Sequence, residues 1–263
     1  MKKIITCLQY DSFIGQVDTN FTNMEHLIKK TLQGHPNTDI LVLPETWNTG
    51  FYPSPQLAQA ADPDGKRTQA LMGQLAAEFQ VNIVAGSVST LRDNKVYNTL
   101  YVFNRQGSVI ANFDKIHGFS PAHEQEFYTG GQSIPLFKLD ELSCSAAICY
   151  DLRFPELIRK EALQGIDILF LPAQWPSKRL HHWRTLTMAR AIENQCFVCA
   201  VNAVGAIKHT PLAGHSLVID PWGEILLEMD DKVGSASVVI DTSILDPIRQ
   251  KINVFKDRRP DIY

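Results

Sequence analysis

The chain has 263 residues, of which 44% are hydrophobic, 9% aromatic and 20% charged, and its formal net charge is −3. This is the profile of a globular protein near the upper length for one hydrophobic core, and the small negative charge gives no reason to expect nucleic acid or an anionic membrane as a partner. The apolar run at the N-terminus stops at Gln9, too early for a signal peptide, and no apolar stretch approaches the roughly 20 residues of a membrane helix. We therefore expect a cytoplasmic protein.

Apolar runs rich in β-branched residues predict eleven strands along the chain. They span residues 4–10, 39–45, 81–89, 98–104, 108–116, 142–150, 167–173, 196–204, 215–221, 224–229 and 235–241. Four segments with helical spacing separate some of these runs, at 20–34, 68–80, 155–165 and 179–195, whereas the turns "NRQG" and "DPWG" join others. The mixture favours two mixed β-sheets packed face to face with helices outside, in one domain over residues 1–263.

Five cysteines are spread through the chain, an odd number that does not indicate a disulfide framework. Cys196 and Cys199 match the C-x-x-C pattern of redox and zinc sites. However, they lie in a predicted buried strand, where positions three apart point to opposite faces, and no second pair completes a zinc site. The pattern favours core packing for both residues.

Three predicted strands end at reactive residues: Glu45, Lys115 and Cys149. Each residue alone has an ordinary structural explanation, as a cap, a solvated amine or a core thiol. In α/β proteins, however, functional groups collect where strands end. A carboxylate that accepts a thiol proton, a thiolate that attacks a carbonyl carbon and an ammonium that stabilises the oxyanion together form a hydrolase.

The segments "LVLPETWNTGF", "DKIHGF" and "ICYDLRFPEL" resemble the three catalytic blocks of the nitrilase superfamily of carbon–nitrogen hydrolases, in the family's order. The resemblance implies a four-layer α-β-β-α sandwich of two mixed β-sheets flanked by helices. It also implies catalysis by Glu45 as general base and acid, Lys115 as oxyanion stabiliser and Cys149 as nucleophile.

The family's second glutamate usually precedes a glycine by seven residues, in the loop after the lysine. In "HEQEFYTGGQ" Glu124 keeps that spacing to Gly131, and Glu126 is the other candidate. The resemblance implies that this glutamate bonds to the lysine or orients the substrate amide.

Three further residues are expected at the substrate. The backbone N–H of Tyr150, next to the nucleophile, is expected to complete the oxyanion hole, and Trp175 is a candidate for the pocket wall. Arg153 either binds a substrate carboxylate or forms a structural ion pair with Asp151. No metal or organic cofactor is expected, because ammonia is the leaving group and water the acceptor.

Tyr150 and Asp151 follow the nucleophile where nitrilases have Trp-Glu, which resembles the amidase branches. The segments "RAIENQ" and "AGHSLVIDPWGE" and the ending "INVFKDRRPDIY" are similar to the ω-amidase branch. The resemblance implies hydrolysis of the terminal amide of 2-oxoglutaramate or 2-oxosuccinamate through a cysteine thioester. The alternatives are an N-carbamoyl amino acid or β-ureidopropionate amidohydrolase with the same triad, and a catalytically idle binding protein on the same fold.

Superfamily members commonly dimerise through a helix near the nucleophile. The resemblance thus implies a homodimer or higher homo-oligomer, with the 153–165 segment and a C-terminal tail (about 243–263, around Val254 and Phe255) as contact surfaces.

Overall fold

Two β-sheets and six α-helices form the structure, a computed structural model that describes residues 1–262. The strands are β1 Lys2–Gln9, β2 Ile40–Val42, β3 Asp62–Pro63, β4 Asn82–Val84, β5 Val88–Arg92, β6 Lys95–Phe103, β7 Val109–Asp114, β8 Leu136–Leu139, β9 Leu142–Ala146, β10 Ile168–Ala173, β11 Phe197–Asn202, β12 Ala206–Ile207, β13 Thr210–Pro211, β14 Leu217–Ile219, β15 Ile225–Glu228 and β16 Gly234–Asp241. The helices are α1 Val17–Gly34, α2 Leu57–Ala60, α3 Lys66–Phe79, α4 Pro155–Ala162, α5 Leu180–Asn194 and α6 Leu245–Lys251.

Both sheets are mixed. The first has the order β16-β1-β2-β4-β6-β5-β3 with β7 beside β6, and the second has the order β15-β14-β11-β10-β9-β8. Parallel pairing holds β1, β2 and β4 together in one sheet and β9, β10 and β11 in the other, and β16, β8 and β14 pair antiparallel with β1, β9 and β11. A separate hairpin, β12–β13, lies off both sheets.

Apolar side chains are buried on both faces of each sheet. Ile5 and Val42 of the first sheet share a core with Phe170 and Val201 of the second. The outer face of the first sheet packs under α1 and α3, and that of the second under α4 and α5, as Trp183 illustrates. The prediction of an α-β-β-α sandwich is confirmed. No helix among residues 1–262 is both long enough and apolar enough to cross a membrane.

The C-x-x-C cysteines lie on opposite faces of β11 and the residue before it. Cys196 belongs to the core beneath α4 and α5, whereas Cys199 lies between the sheets with its Sγ 3.7 Å from Cys7 Sγ. The divergence expected from strand geometry is therefore observed, and both residues fill the core.

The buried thiol of Cys196 makes the stability of the folded protein depend on pH. Burial raises the pKa of its thiol to about 12, while the thiol of an unfolded cysteine has a pKa of about 8.5. Between these values the folded protein keeps a proton that the unfolded chain releases, so the free energy of unfolding falls by about 1.4 kcal/mol per pH unit for this group. The melting temperature of Cys196→Ala should therefore fall less between pH 8.5 and 10.5 than that of the wild type.

Val198→Ala is the control, because Val198 is fully buried in the same cluster and has no proton to lose. Both substitutions create a cavity and lower the melting temperature at neutral pH. Only Cys196→Ala should flatten the alkaline decline; parallel curves for all three proteins would contradict this assignment.

Strand boundaries differ from the predictions at points that shape the site. The predicted 81–89 strand divides into β4 and β5 at Gly86, which has φ +52° and approaches Pro44 so closely that a Cβ would lie 1.9 Å from the Pro44 oxygen. The predicted 142–150 strand ends at Ala146. The predictions did not include helices α2 and α6 or strands β3, β8, β12 and β13.

Candidate active site

The three reactive residues lie at or just beyond strand ends, and one cavity brings them together. Lys115 directly follows β7, as predicted, whereas Glu45 and Cys149 come three residues after β2 and β9. Lys115 and Glu45 follow strands of the first sheet, whereas Cys149 follows a strand of the second. The site therefore forms where the two sheets face each other.

Glu45 is held by donors from three directions. Its Oε1 accepts from Lys115 Nζ at 2.9 Å and from Asn98 Nδ2 at 2.9 Å, and its Oε2 accepts from the Gln174 backbone N–H at 2.8 Å. The side chain of Gln174 also donates to the backbone oxygen of Glu45 at 2.8 Å. These bonds fix the carboxylate of a residue that is only 1% exposed.

Lys115 is buried between two carboxylates. Its Nζ donates to both Glu124 oxygens, at 2.9 and 2.8 Å, in addition to Glu45. Burial by itself would lower the pKa of the ammonium, but the charges of Glu124 and Glu45 outweigh it and raise the pKa well above the usual range. The lysine is therefore a permanent cation at neutral pH, as an oxyanion stabiliser must be.

Of the two candidate second glutamates, the structure brings Glu124 and not Glu126 against the lysine. Glu124 is fully buried, and its Oε2 also accepts from the Phe119 N–H at 2.7 Å. Glu126 is exposed and pairs with His123 Nδ1 at 2.8 Å. The catalytic roles of the glutamates and of the triad stay predictions.

Cys149 begins a 3₁₀ turn, Cys149–Arg153, rather than ending a strand. Its φ of +47° lies in the left-handed region, which is rare for a non-glycine residue and holds the side chain out of the strand direction. Burial and the negative charge of Glu45 raise the pKa of the thiol well above its usual value, against the opposing effect of Lys115. In the resting protein the sulfur therefore keeps its proton, and a base must remove it.

Asp151 links the 3₁₀ turn that contains Cys149 to the residues that follow Lys115. Its Oδ2 accepts from the Ile148 N–H at 3.1 Å, and its Oδ1 accepts from the His117 N–H at 2.9 Å and lies 2.7 Å from His117 Nδ1. The predicted alternative of an Arg153–Asp151 ion pair is therefore wrong, because Asp151 is fully buried and satisfied by these neighbours. Positions of Cys149 and Lys115 are linked through this one carboxylate.

Arg153 instead points to the cavity wall. Its guanidinium lies over the ring of Trp175, with Cζ 4.8 Å from the ring centroid, and its Nη2 is 3.2 Å from His182 Nδ1. Trp175 is 3% exposed, and its backbone N–H donates to Asn202 at 2.6 Å. Both residues line the cavity, where the sequence predicted substrate contacts.

The cavity that contains the three reactive residues is small. It leaves about 60 Å³ for the centres of water-sized groups, several times what one ordered water needs. Its lining consists of Glu45, Phe51, Lys115, Phe119, Cys149, Tyr150, Arg153, Gln174, Trp175, Pro176, Arg179 and Ile207. Within residues 1–262, no three His, Cys, Asp or Glu side chains come together in a way that would hold a metal ion.

Sequence reasoning missed Asn98, Gln174 and Arg179. Gln174 directly follows β10, so its place after a strand was a usable signal, but an amide carries no charge to draw attention to it. Asn98 lies inside β6 and has no signal in the sequence.

Residues 4–250 match the carbon-nitrogen hydrolase family. The chain is 42% identical over 263 residues, 100% of both chains, to the 2-oxoglutaramate amidase of Bacillus subtilis (strain 168). It is 32% identical to the 2-oxoglutaramate amidase of Paenarthrobacter nicotinovorans, over 95% of this chain and 90% of that one. The crystal structure of XC1258 from Xanthomonas campestris, a CN-hydrolase superfamily protein, is 28% identical with a TM-score of 0.90 and 98% of both chains covered.

The sequence matches and the structural match indicate the same family. The matched residues include every residue that lines the cavity. The chain therefore belongs to the carbon–nitrogen hydrolase family and is a hydrolase of amide carbon–nitrogen bonds.

Proposed function

We propose that the protein hydrolyses the terminal amide of a small carboxylic acid, 2-oxoglutaramate or 2-oxosuccinamate, through a thioester on Cys149. The cavity supports this function because a thiol, a carboxylate and an ammonium share it with Arg153. The Arg153 guanidinium contacts Trp175 and His182 but pairs with no carboxylate within residues 1–262. A substrate carboxylate would supply the missing anion, with the amide directed to Cys149.

Acylation begins with transfer of the Cys149 proton to Glu45. The thiolate attacks the amide carbon, and the oxyanion that forms is stabilised by the Lys115 ammonium and the Tyr150 N–H. Collapse of this intermediate breaks the carbon–nitrogen bond, and Glu45 returns the proton to the departing ammonia. Positioned proton transfer typically contributes about 10²–10⁴-fold and one oxyanion donor about 10²–10³-fold.

Deacylation uses the same groups in reverse order. Glu45 takes a proton from water, the hydroxide attacks the thioester carbonyl, and the same oxyanion site stabilises the second intermediate. Collapse releases the acid and returns the proton to the sulfur. Water is the only co-substrate, so this chemistry needs no metal or organic cofactor.

Ammonia release from 2-oxoglutaramate, 2-oxosuccinamate, N-carbamoyl-β-alanine and a simple nitrile tests the substrate class. We expect the two oxo acid amides to be hydrolysed with kcat/KM at least about 10⁴ M⁻¹s⁻¹, in the usual range for enzymes on their own substrates, and far faster than the other two compounds. The two bacterial relatives are 2-oxoglutaramate amidases, which supports the first of these substrates.

Turnover of N-carbamoyl-β-alanine alone would instead favour the carbamoyl amino acid alternative. That compound also carries one carboxylate, so Arg153 would serve it equally well. Turnover of none of the four would contradict both substrate classes.

We further propose that the protein acts in the cytoplasm as a homodimer or higher homo-oligomer. The two expected contact surfaces touch each other within one chain, since the Arg159 guanidinium of α4 lies over the Phe255 ring at 5.4 Å. They would thus form one continuous surface. Tyr263, the last residue of the tail, lies outside the described residues.

A further inference from the structure

A second arginine lines the same cavity. Arg179 ends a 3₁₀ turn, Ser177–Arg179, directly before α5, and its side chain is half-buried. Its guanidinium lies over the Phe119 ring, with Cζ 5.3 Å from the centroid, and its backbone oxygen accepts from Trp175 Nε1 at 2.8 Å. Trp175 therefore contacts Arg153 through its ring and Arg179 through its indole N–H.

Neither arginine has an anionic partner in the part of the chain that the structure describes. Arg153 contacts an aromatic ring and an imidazole, and Arg179 contacts an aromatic ring. Both guanidinium groups line one small cavity, so each adds a positive charge that no carboxylate within residues 1–262 pairs with. An anionic ligand in this cavity would be attracted by both.

The charges around the cavity indicate what charge the bound substrate should carry. Lys115, Arg153 and Arg179 are cationic, whereas Glu45, which lines the cavity, and Glu124, which pairs with Lys115, are anionic. With the thiol protonated, one positive charge is left over. A substrate with a neutral amide and a single carboxylate balances it, whereas a neutral amide leaves it in place.

We infer that Arg179 is a specificity-determining residue, which together with Arg153 binds the carboxylate end of the substrate and selects singly anionic amides over neutral ones. This inference rests on the proposed function, because it names the part of the protein that recognises the acid. An α-oxo carboxylate suits two arginines: it presents three oxygens on one side, and a guanidinium donates two parallel hydrogen bonds.

The experiment compares an anionic and a neutral amide of the same chain length, 2-oxoglutaramate and pentanamide. Steady-state constants are measured for the wild type, Arg179→Gln, Arg179→Lys and Lys178→Gln. Lys178 is the matched control, since it lies on the same turn, is exposed and does not line the cavity.

Arg179→Gln should raise KM for 2-oxoglutaramate by about 10- to 100-fold, the usual cost of one charge-assisted hydrogen bond. Its kcat/KM for pentanamide should stay within about threefold of wild type. Arg179→Lys should recover part of the loss because it keeps the charge, and Lys178→Gln should match the wild type for both compounds. An Arg179→Gln enzyme that loses both activities equally, or neither, overturns the inference.

Binding of the product anion gives a second measurement that needs no turnover. In the Cys149→Ala background, titration calorimetry should show about 10- to 100-fold weaker binding of 2-oxoglutarate when Arg179 is also replaced by Gln; equal affinities overturn the inference. Failure of the proposed function is distinct, because then the wild type does not hydrolyse 2-oxoglutaramate. In that case the same comparison with N-carbamoyl-β-alanine decides the role of Arg179, and wild-type turnover of pentanamide without either anion overturns it.

Discussion

Cys149→Ala is expected to lower ammonia release from 2-oxoglutaramate by about 10⁴-fold or more, as removal of a catalytic nucleophile does in other hydrolases. Without the sulfur no thioester forms, and Lys115 and Glu45 can only assist direct attack by water. Cys149→Ser should recover little activity, because a serine hydroxyl is far less acidic than a thiol and Glu45 is a weak base for it.

Cys144→Ala is the matched control on the same segment. Cys144 lies in β9, is 1% exposed and donates its thiol proton to the Leu142 oxygen at 3.4 Å. Burial raises its pKa far above the usual range, and the cavity lining does not include it. The substitution should lower the melting temperature while leaving kcat within about twofold, as expected for a site outside the reaction.

Mass spectrometry of the wild type during turnover checks the covalent step directly. An acyl group on the peptide that contains Cys149, removable by hydroxylamine, is the expected species. Activity that survives in Cys149→Ala, or an equal loss in Cys144→Ala, would sink the assignment of the nucleophile.

Much of the site could be predicted from the sequence because its chemistry resides in unusual residue types at strand ends. A lysine after β7 and a glutamate and a cysteine just beyond apolar runs stand out without knowledge of the fold. The layer order also followed from the alternation of helices and hairpins.

Contacts between distant parts of the chain could not be predicted. Gln174 reaches Glu45 across the two sheets, and the Asn98 side chain bonds to Glu45 from within a strand; such contacts depend on how the sheets face each other. Arg179 was hidden because a single arginine before a helix is usually solvated. Only the cavity, and the absence of a carboxylate near this guanidinium within residues 1–262, distinguishes it.

The choice between Glu124 and Glu126 shows the same limit. Both lie in one short segment two residues apart, and spacing alone favoured one of them without excluding the other. Burial separates them, since one is fully buried against Lys115 and the other is exposed beside His123.

Glu124→Gln is expected to lower kcat for 2-oxoglutaramate by about 10²–10⁴-fold, the usual contribution of positioned proton transfer. In the wild type the Lys115 ammonium forms ion pairs with both Glu124 and Glu45. Without the Glu124 charge the ammonium pairs with Glu45 alone, which holds this carboxylate to the lysine and hinders its transfer of the Cys149 proton. The glutamine NH₂ would also face either the Lys115 ammonium or the Phe119 N–H, so that two donors meet.

Glu126→Gln makes the identical change two residues further on and should leave kcat within about twofold, because its exposed pair with His123 lies outside the cavity. Whether Glu124→Gln changes kcat or KM distinguishes the two possible roles of Glu124. Glu124 does not line the substrate cavity, so its loss should act on kcat and leave KM within about threefold. A large rise in KM with kcat unchanged would instead mean that Glu124 orients the substrate amide. Glu124→Asp, which keeps the charge at a shorter reach, should recover part of kcat if the charge on Lys115 is what matters, and none if the loss comes from a disturbed fold.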